Sequence, residues 1–99
     1  MEIVVKHNSV YLKRVNLGRN FSSMIADVII DRLGRVKVYT ESELKTPSFY
    51  TDLYHLPPEV LTVISKKLEN EAENKILTKI DKRIQFILNM ETKTKASKA

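Results

Sequence analysis

The sequence predicts an α+β domain: a four-stranded, mainly antiparallel sheet built from two hairpins, then a short helix and a long C-terminal helix. Three observations carry that expectation. Residues 3–40 hold β-branched runs separated by turn-forming residues. Thr46-Pro47 heads a compact aromatic segment, as a capping residue and a first-position proline head a helix. Leu56-Pro57-Pro58-Glu59 then opens a stretch reaching Met90 without a single Gly or further Pro.

The first hairpin joins Ile3–Lys6 to Val10–Val15 across His7-Asn8-Ser9. After the turn Asn16–Asn20, a strand from about Met24 to Ile30 meets Asp31-Arg32-Leu33-Gly34. There Gly in the left-handed conformation closes a tight turn before the alternating return strand Arg35–Thr40. A helical reading of 21–33 is also open, with Gly34 as its stop, but Val28-Ile29-Ile30 is β-branched and favours the strand. Glu41–Lys45 is a polar connector. Thr46–Tyr54 reads as a short helix forming a lid, with Phe49 meeting Leu53.

The long stretch carries two apolar stripes on nearly opposite sides of a helical wheel. Val60, Leu61, Val63, Ile64 and Leu68 make the first; Ile76, Leu77, Ile80, Ile84, Ile87 and Leu88 make the second. Two structures satisfy this pattern. A single helix from Pro58 to Met90 would be about 50 Å long at ~1.5 Å per residue. A domain with a gyration radius of ~13 Å is much shorter than that, so a second chain would have to cover the outer stripe. Alternatively the chain turns back near Asn70–Asn74, although Asn takes the capping conformation less readily than Gly. The poor turn chemistry favours the continuous helix. A homodimer follows, with Ile76, Leu77, Ile80, Ile84, Ile87 and Leu88 as its self-association surface.

Ninety-nine residues suffice for one core, here residues 1–91, and 42% apolar residues fit a folded chain. Residues 92–99 lack an apolar anchor and read as a basic disordered tail. The 29% charged residues and two glycines lean toward an ion-rich, heat-resistant surface. Without cysteine there is no disulfide or thiolate metal site. No apolar run is long enough to span a membrane, and the start Met1-Glu2-Ile3 lacks a signal-peptide pattern, so the expected setting is intracellular.

Net charge is +5, and residues 75–99, with seven Lys/Arg against Asp81 and Glu91, account for all of it. A basic end suggests an anionic partner. The candidate nucleic-acid contacts are Lys75, Lys79, Lys82 and Arg83 on the late helix, with Lys93 and Lys95 beyond. In the absence of any base-reading motif they point to backbone phosphates. No set of residues nominates a resident metal or cofactor, and the expectation is a non-enzymatic protein. The one arrangement that resembles catalysis is Asp27 with Glu43-Leu44-Lys45, an acid and a Glu-x-Lys as in Mg²⁺-dependent nucleases. Glu73-Asn74-Lys75 and Glu91-Thr92-Lys93 repeat the tripeptide, which empties it of specificity.

From Met1-Glu2-Ile3-Val4-Val5 through Leu56-Pro57-Pro58-Glu59 to the Lys-rich end, the chain resembles a family of small proteins of lipothrixviruses and rudiviruses from hot acidic springs, Acidianus filamentous virus 1 among them. The likeness lies in length, in Ile/Lys/Glu-rich and Cys-free character and in overall run. It implies an unusual α+β fold resistant to heat and acid, in the host cytoplasm or on the virion, and supplies no functional residues.

Overall fold

A computed structural model of the chain describes residues 1–41, 45–70 and 75–98, with side chains as far as Glu91. Five strands, β1 (Glu2–Lys6), β2 (Ser9–Asn16), β3 (Ile25–Ile30), β4 (Arg35–Tyr39) and β5 (Phe49–Asp52), form one antiparallel sheet in sequence order. Two helices follow, α1 (Pro58–Glu69) and α2 (Lys75–Lys98). Both pack on the same sheet face, and one core joins sheet residues such as Leu12, Val28 and Val36 to Leu61, Ile64 and Ile84.

The two sequence-predicted hairpins are present. His7 and Asn8 both take positive φ, the signature of a two-residue type I′ turn, whose twist matches its strands. In the second, the Asp31 carboxylate accepts from the amides of Leu33 (2.9 Å) and Arg35 (3.0 Å), and Gly34 sits at φ 80°. These contacts are local, so they could be read from the residues.

The segment read as a short helix is instead the fifth strand. Tyr50 and Thr51 suit a strand, and β4 offers an unpaired edge that a helix could not satisfy. The Ser48 amide donates to the Val38 carbonyl at 2.7 Å, and the Thr40 and Ser48 hydroxyls lie 2.8 Å apart, fixing the register. Phe49 turns inward and stacks on Phe21 at 5.5 Å, while Tyr50 points to the opposite face. Only Leu53–His55, a single 3₁₀ turn, has helical character.

The continuous helix is also corrected. The chain makes a helical hairpin, and its two opposed stripes meet inside one molecule. Leu61, Ile64 and Leu68 of α1 and Leu77, Ile80, Ile84 and Ile87 of α2 are all buried in the common core. Burial of both stripes outweighs the weak turn chemistry, since each fully buried Leu or Ile side chain contributes about 1.5–3 kcal/mol. Buried Ser65 stitches the pair: its hydroxyl donates to Asp81 Oδ1 at 2.8 Å and accepts from Gln85 Nε2. Residues 71–74 lie outside the described residues. The backbone of α2 runs helically to Lys98, where the missing apolar anchor predicts a tail from residue 92.

Candidate interaction face and the residues nominated by the sequence

Strand alternation sends every second residue away from the helices. The registers align Val4, Tyr11, Ile29, Lys37 and Tyr50 in one row across all five strands. Beside it Asp27 pairs with Tyr39, and at the far end Arg35 pairs with Asp52. This face is left uncovered among the described residues. Tyr50 is 64% exposed and Ile25, also on this face, 62%, while Tyr11, Ile29 and Tyr39 are half-buried. A shallow groove of about 300 Å³ crosses the face between Tyr11 and Tyr39, with Lys13, Asp27, Ile29 and Lys45 around it.

A β-bulge shapes the groove. Lys13 and Arg14 together oppose Asp27, and Arg14 takes φ 54°. The extra residue leaves its amide without a ladder partner, and Asp27 Oδ1 accepts it at 3.1 Å. Asp27 therefore has a backbone role that explains its place. It does share the groove with Lys45, as the nuclease arrangement requires, but Glu43 lies outside the described residues. Among the described residues no group of three or more His, Asp or Glu could hold a metal ion.

The nominated basic residues Lys75, Lys79, Lys82 and Arg83 are exposed on α2. Arg83 is partly committed: its guanidinium lies 5.5 Å from the Tyr54 ring centre, a cation–π contact. The side chains of Lys93 and Lys95 lie outside the described residues. Of the nominated self-association residues, Leu77, Ile80, Ile84 and Ile87 are buried in the chain's own core and Ile76 and Leu88 are half-buried. That surface is corrected: the stripe thought to need a second chain is covered by the first.

Two features escaped sequence reasoning. One is the face itself. Its signal was the alternation of Tyr11 with Leu12 and of Tyr39 with Val38, but pairing was needed to bring the tyrosines to one side. The other is His55, whose Nδ1 lies 2.8 Å from Asp52 Oδ1 beside a cleft of about 320 Å³ that Arg19, Tyr54 and Glu59 help to line. The pair is about half exposed, and the Asp52 carboxylate orients the imidazole at the rim of that cleft.

The Asp31 carboxyl sits below its ordinary value. Partial burial works to raise it, but hydrogen bonds from the Arg35 and Leu33 amides and from the Arg35 guanidinium outweigh burial and hold the carboxyl low. Asp31 lies in a turn, away from the groove. No helix of the described residues is long and apolar enough to cross a membrane. The chain matches no family model, no curated protein and no solved structure.

Proposed function

We propose that this is a non-enzymatic interaction protein of an archaeal virus, acting in the host cytoplasm or on the virion as a heat-resistant homodimer, and that it meets its partner protein through the uncovered sheet face. The observation that carries this is the row Val4–Tyr11–Ile29–Lys37–Tyr50, apolar and aromatic but for Lys37, on a side that neither helix covers. Tyrosines that stay half wet offer a large contact area with little side-chain entropy to lose. The viral setting rests on the resemblance of the sequence, and the heat resistance on its charged composition. The test places a photo-crosslinking phenylalanine analogue at Tyr50, and separately at Lys66 on the outer side of α1, in infected host cells. Capture of a defined protein from position 50 and not from 66 supports the proposal. Equal capture from both positions, or Mg²⁺-dependent cleavage of nucleic acid that Asp27→Asn abolishes, overturns it.

A second reading, nucleic-acid binding, draws support from the exposed Lys75, Lys79 and Lys82, which share one side of α2 by their i, i+4, i+7 spacing. Gel shifts across a salt series decide it: a steep salt slope that flattens in Lys79→Glu supports it, and no binding at low salt removes it.

A further inference from the structure

We infer that the homodimer proposed above forms edge to edge through β1, with two copies of Glu2–Lys6 pairing antiparallel about a two-fold axis at Val4.

The sheet has two edges, and they are treated differently. β5 is four residues long and follows Pro47, two devices that discourage a strand from adding there. β1 is five residues long, with neither proline nor bulge, and Val4 is 40% exposed. It is the unprotected edge.

The hydrogen-bonding phase of that edge follows from the hairpin turn. A two-residue I′ turn makes its flanking residues, Lys6 and Ser9, the pair that exchanges both hydrogen bonds. The pattern alternates, so Val4 and Glu2 also bond inward to β2. The amide and carbonyl groups of Ile3 and Val5 are left aimed at the free edge. An added antiparallel strand must bring its own outward residues opposite these two.

A second copy of β1 does this in only a few registers, and one of them satisfies every side chain. With Val4 opposite the partner's Val4, Ile3 faces the partner's Val5 and both outward pairs can bond. The same register sets Glu2 opposite the partner's Lys6, and Lys6 opposite the partner's Glu2. Shifting by two residues either way loses both charge pairs and sets Val4 against Glu2 or Lys6. The sequence Glu-Ile-Val-Val-Lys is thus complementary to itself when reversed, the property that an isologous interface requires. The product is a continuous ten-stranded sheet whose two uncovered faces lie side by side.

The absence of cysteine makes the geometry directly testable. Val4→Cys places two thiols at a non-hydrogen-bonded pair on the axis, where Cα atoms lie about 4.5 Å apart, within reach of a disulfide. Lys6→Cys places them roughly 14 Å apart, out of reach. Full-length Val4→Cys should oxidise to a covalent dimer and Lys6→Cys should remain uncrosslinked under the same conditions. By light scattering, Lys6→Glu should weaken the dimer on the order of tenfold, and Glu2→Lys with Lys6→Glu should restore it. Val5→Pro removes an outward-facing amide and no ladder bond to β2, at the expense of a half-buried side chain. It should abolish the dimer while thermal melting shows a lowered but cooperative transition.

A dimer indifferent to Lys6→Glu and Val5→Pro, or crosslinking equal at positions 4 and 6, overturns the β1 edge and leaves the homodimer standing. A chain monomeric at millimolar concentration overturns both. Neither result touches partner capture at Tyr50, which reads the sheet face alone.

Discussion

The helical hairpin can be tested at Ile84, whose side chain is fully buried among sheet and helix residues of its own chain. Ile84→Ala removes most of that side chain from a packed site, a change that costs about 2–5 kcal/mol. In a domain of this size each kcal/mol moves the melting midpoint by about 4–8 °C, so the fall should be about 8–40 °C. The assay is thermal melting by circular dichroism at two protein concentrations a hundredfold apart, with light scattering on the same samples. Because Ile84 belongs to the core of one chain, the difference between variant and parent should be the same at both concentrations and association should be unchanged. Lys82→Ala, on the exposed side of the same helix, should move the midpoint by no more than about 4 °C. A variant that loses its dimer while its monomer melts as before would refute the hairpin and restore the long rod with a second chain against it. So would a midpoint shift as small as that of Lys82→Ala.

Other consequences follow from particular contacts. Asp31→Ala should cost about 1–2 kcal/mol near neutral pH through the lost amide acceptor. The folded carboxyl lies below its unfolded value of about 3.9, so its ionic contribution is present above that pH and is lost as pH falls through the folded value. The gap in melting temperature between parent and variant should therefore narrow on acidification below about pH 4, and a gap constant down to pH 2 would contradict the assignment. Gly18→Ala should destabilise by about 1–3 kcal/mol in denaturant melts, because the residue has φ 79° and a Cβ would stand 2.7 Å from Pro57 Cγ. Asp27→Ala should cost about 1 kcal/mol and raise hydrogen exchange at the Arg14 amide, whose acceptor it removes. An unchanged exchange rate there would separate the carboxylate from the bulge. Ser65→Ala leaves the Asp81 carboxylate short of a donor between the helices and should cost about 1–3 kcal/mol by the same denaturant measurement.

What could be read from the residues was local in origin. The turn at Asp31–Gly34 is made by one carboxylate and one glycine within five positions, and both announce themselves in the sequence. The apolar periodicity of α1 and α2 was equally plain, since each stripe is a property of a single helix. The failures arose where a distant part of the chain decided the outcome. Thr46-Pro47 has the local chemistry of a helix start, yet the open edge of β4 recruited the following residues as β5. Asn70 lacks the conformational freedom of glycine, yet the gain from burying Leu77, Ile80 and Ile84 against the same core overrode that. Lys13 and Arg14 show no bulge signal, because the carboxylate that satisfies the bulge arrives from β3. The candidate face was missed for the same reason: Tyr11, Tyr39 and Tyr50 lie on three different strands, and pairing alone brings them to one side.

The connectivity itself ties the free edge to the uncovered face. In a sheet where every strand neighbours the next in sequence, the first strand is necessarily an edge, because no later segment is threaded beside it. After β5 the described chain supplies one helical pair, α1 and α2, which can cover one face of the sheet only. Both helices go to the side that carries Leu12, Val28 and Val36, the side with the most apolar area to bury. Among the described residues that leaves the outer edge of β1 without a neighbouring strand and the tyrosine side uncovered, and the two omissions have different remedies. An edge needs hydrogen-bond partners at fixed spacing, which a second copy of the same strand provides when its side chains are self-complementary, as Glu2 and Lys6 are. A face needs area and shape, which a copy joined at the edge cannot supply, because edge pairing places the two faces side by side and not against each other. The self-association proposed at β1 would therefore leave the tyrosine face open and double its extent, so that a partner would meet two adjacent copies of the same row of residues.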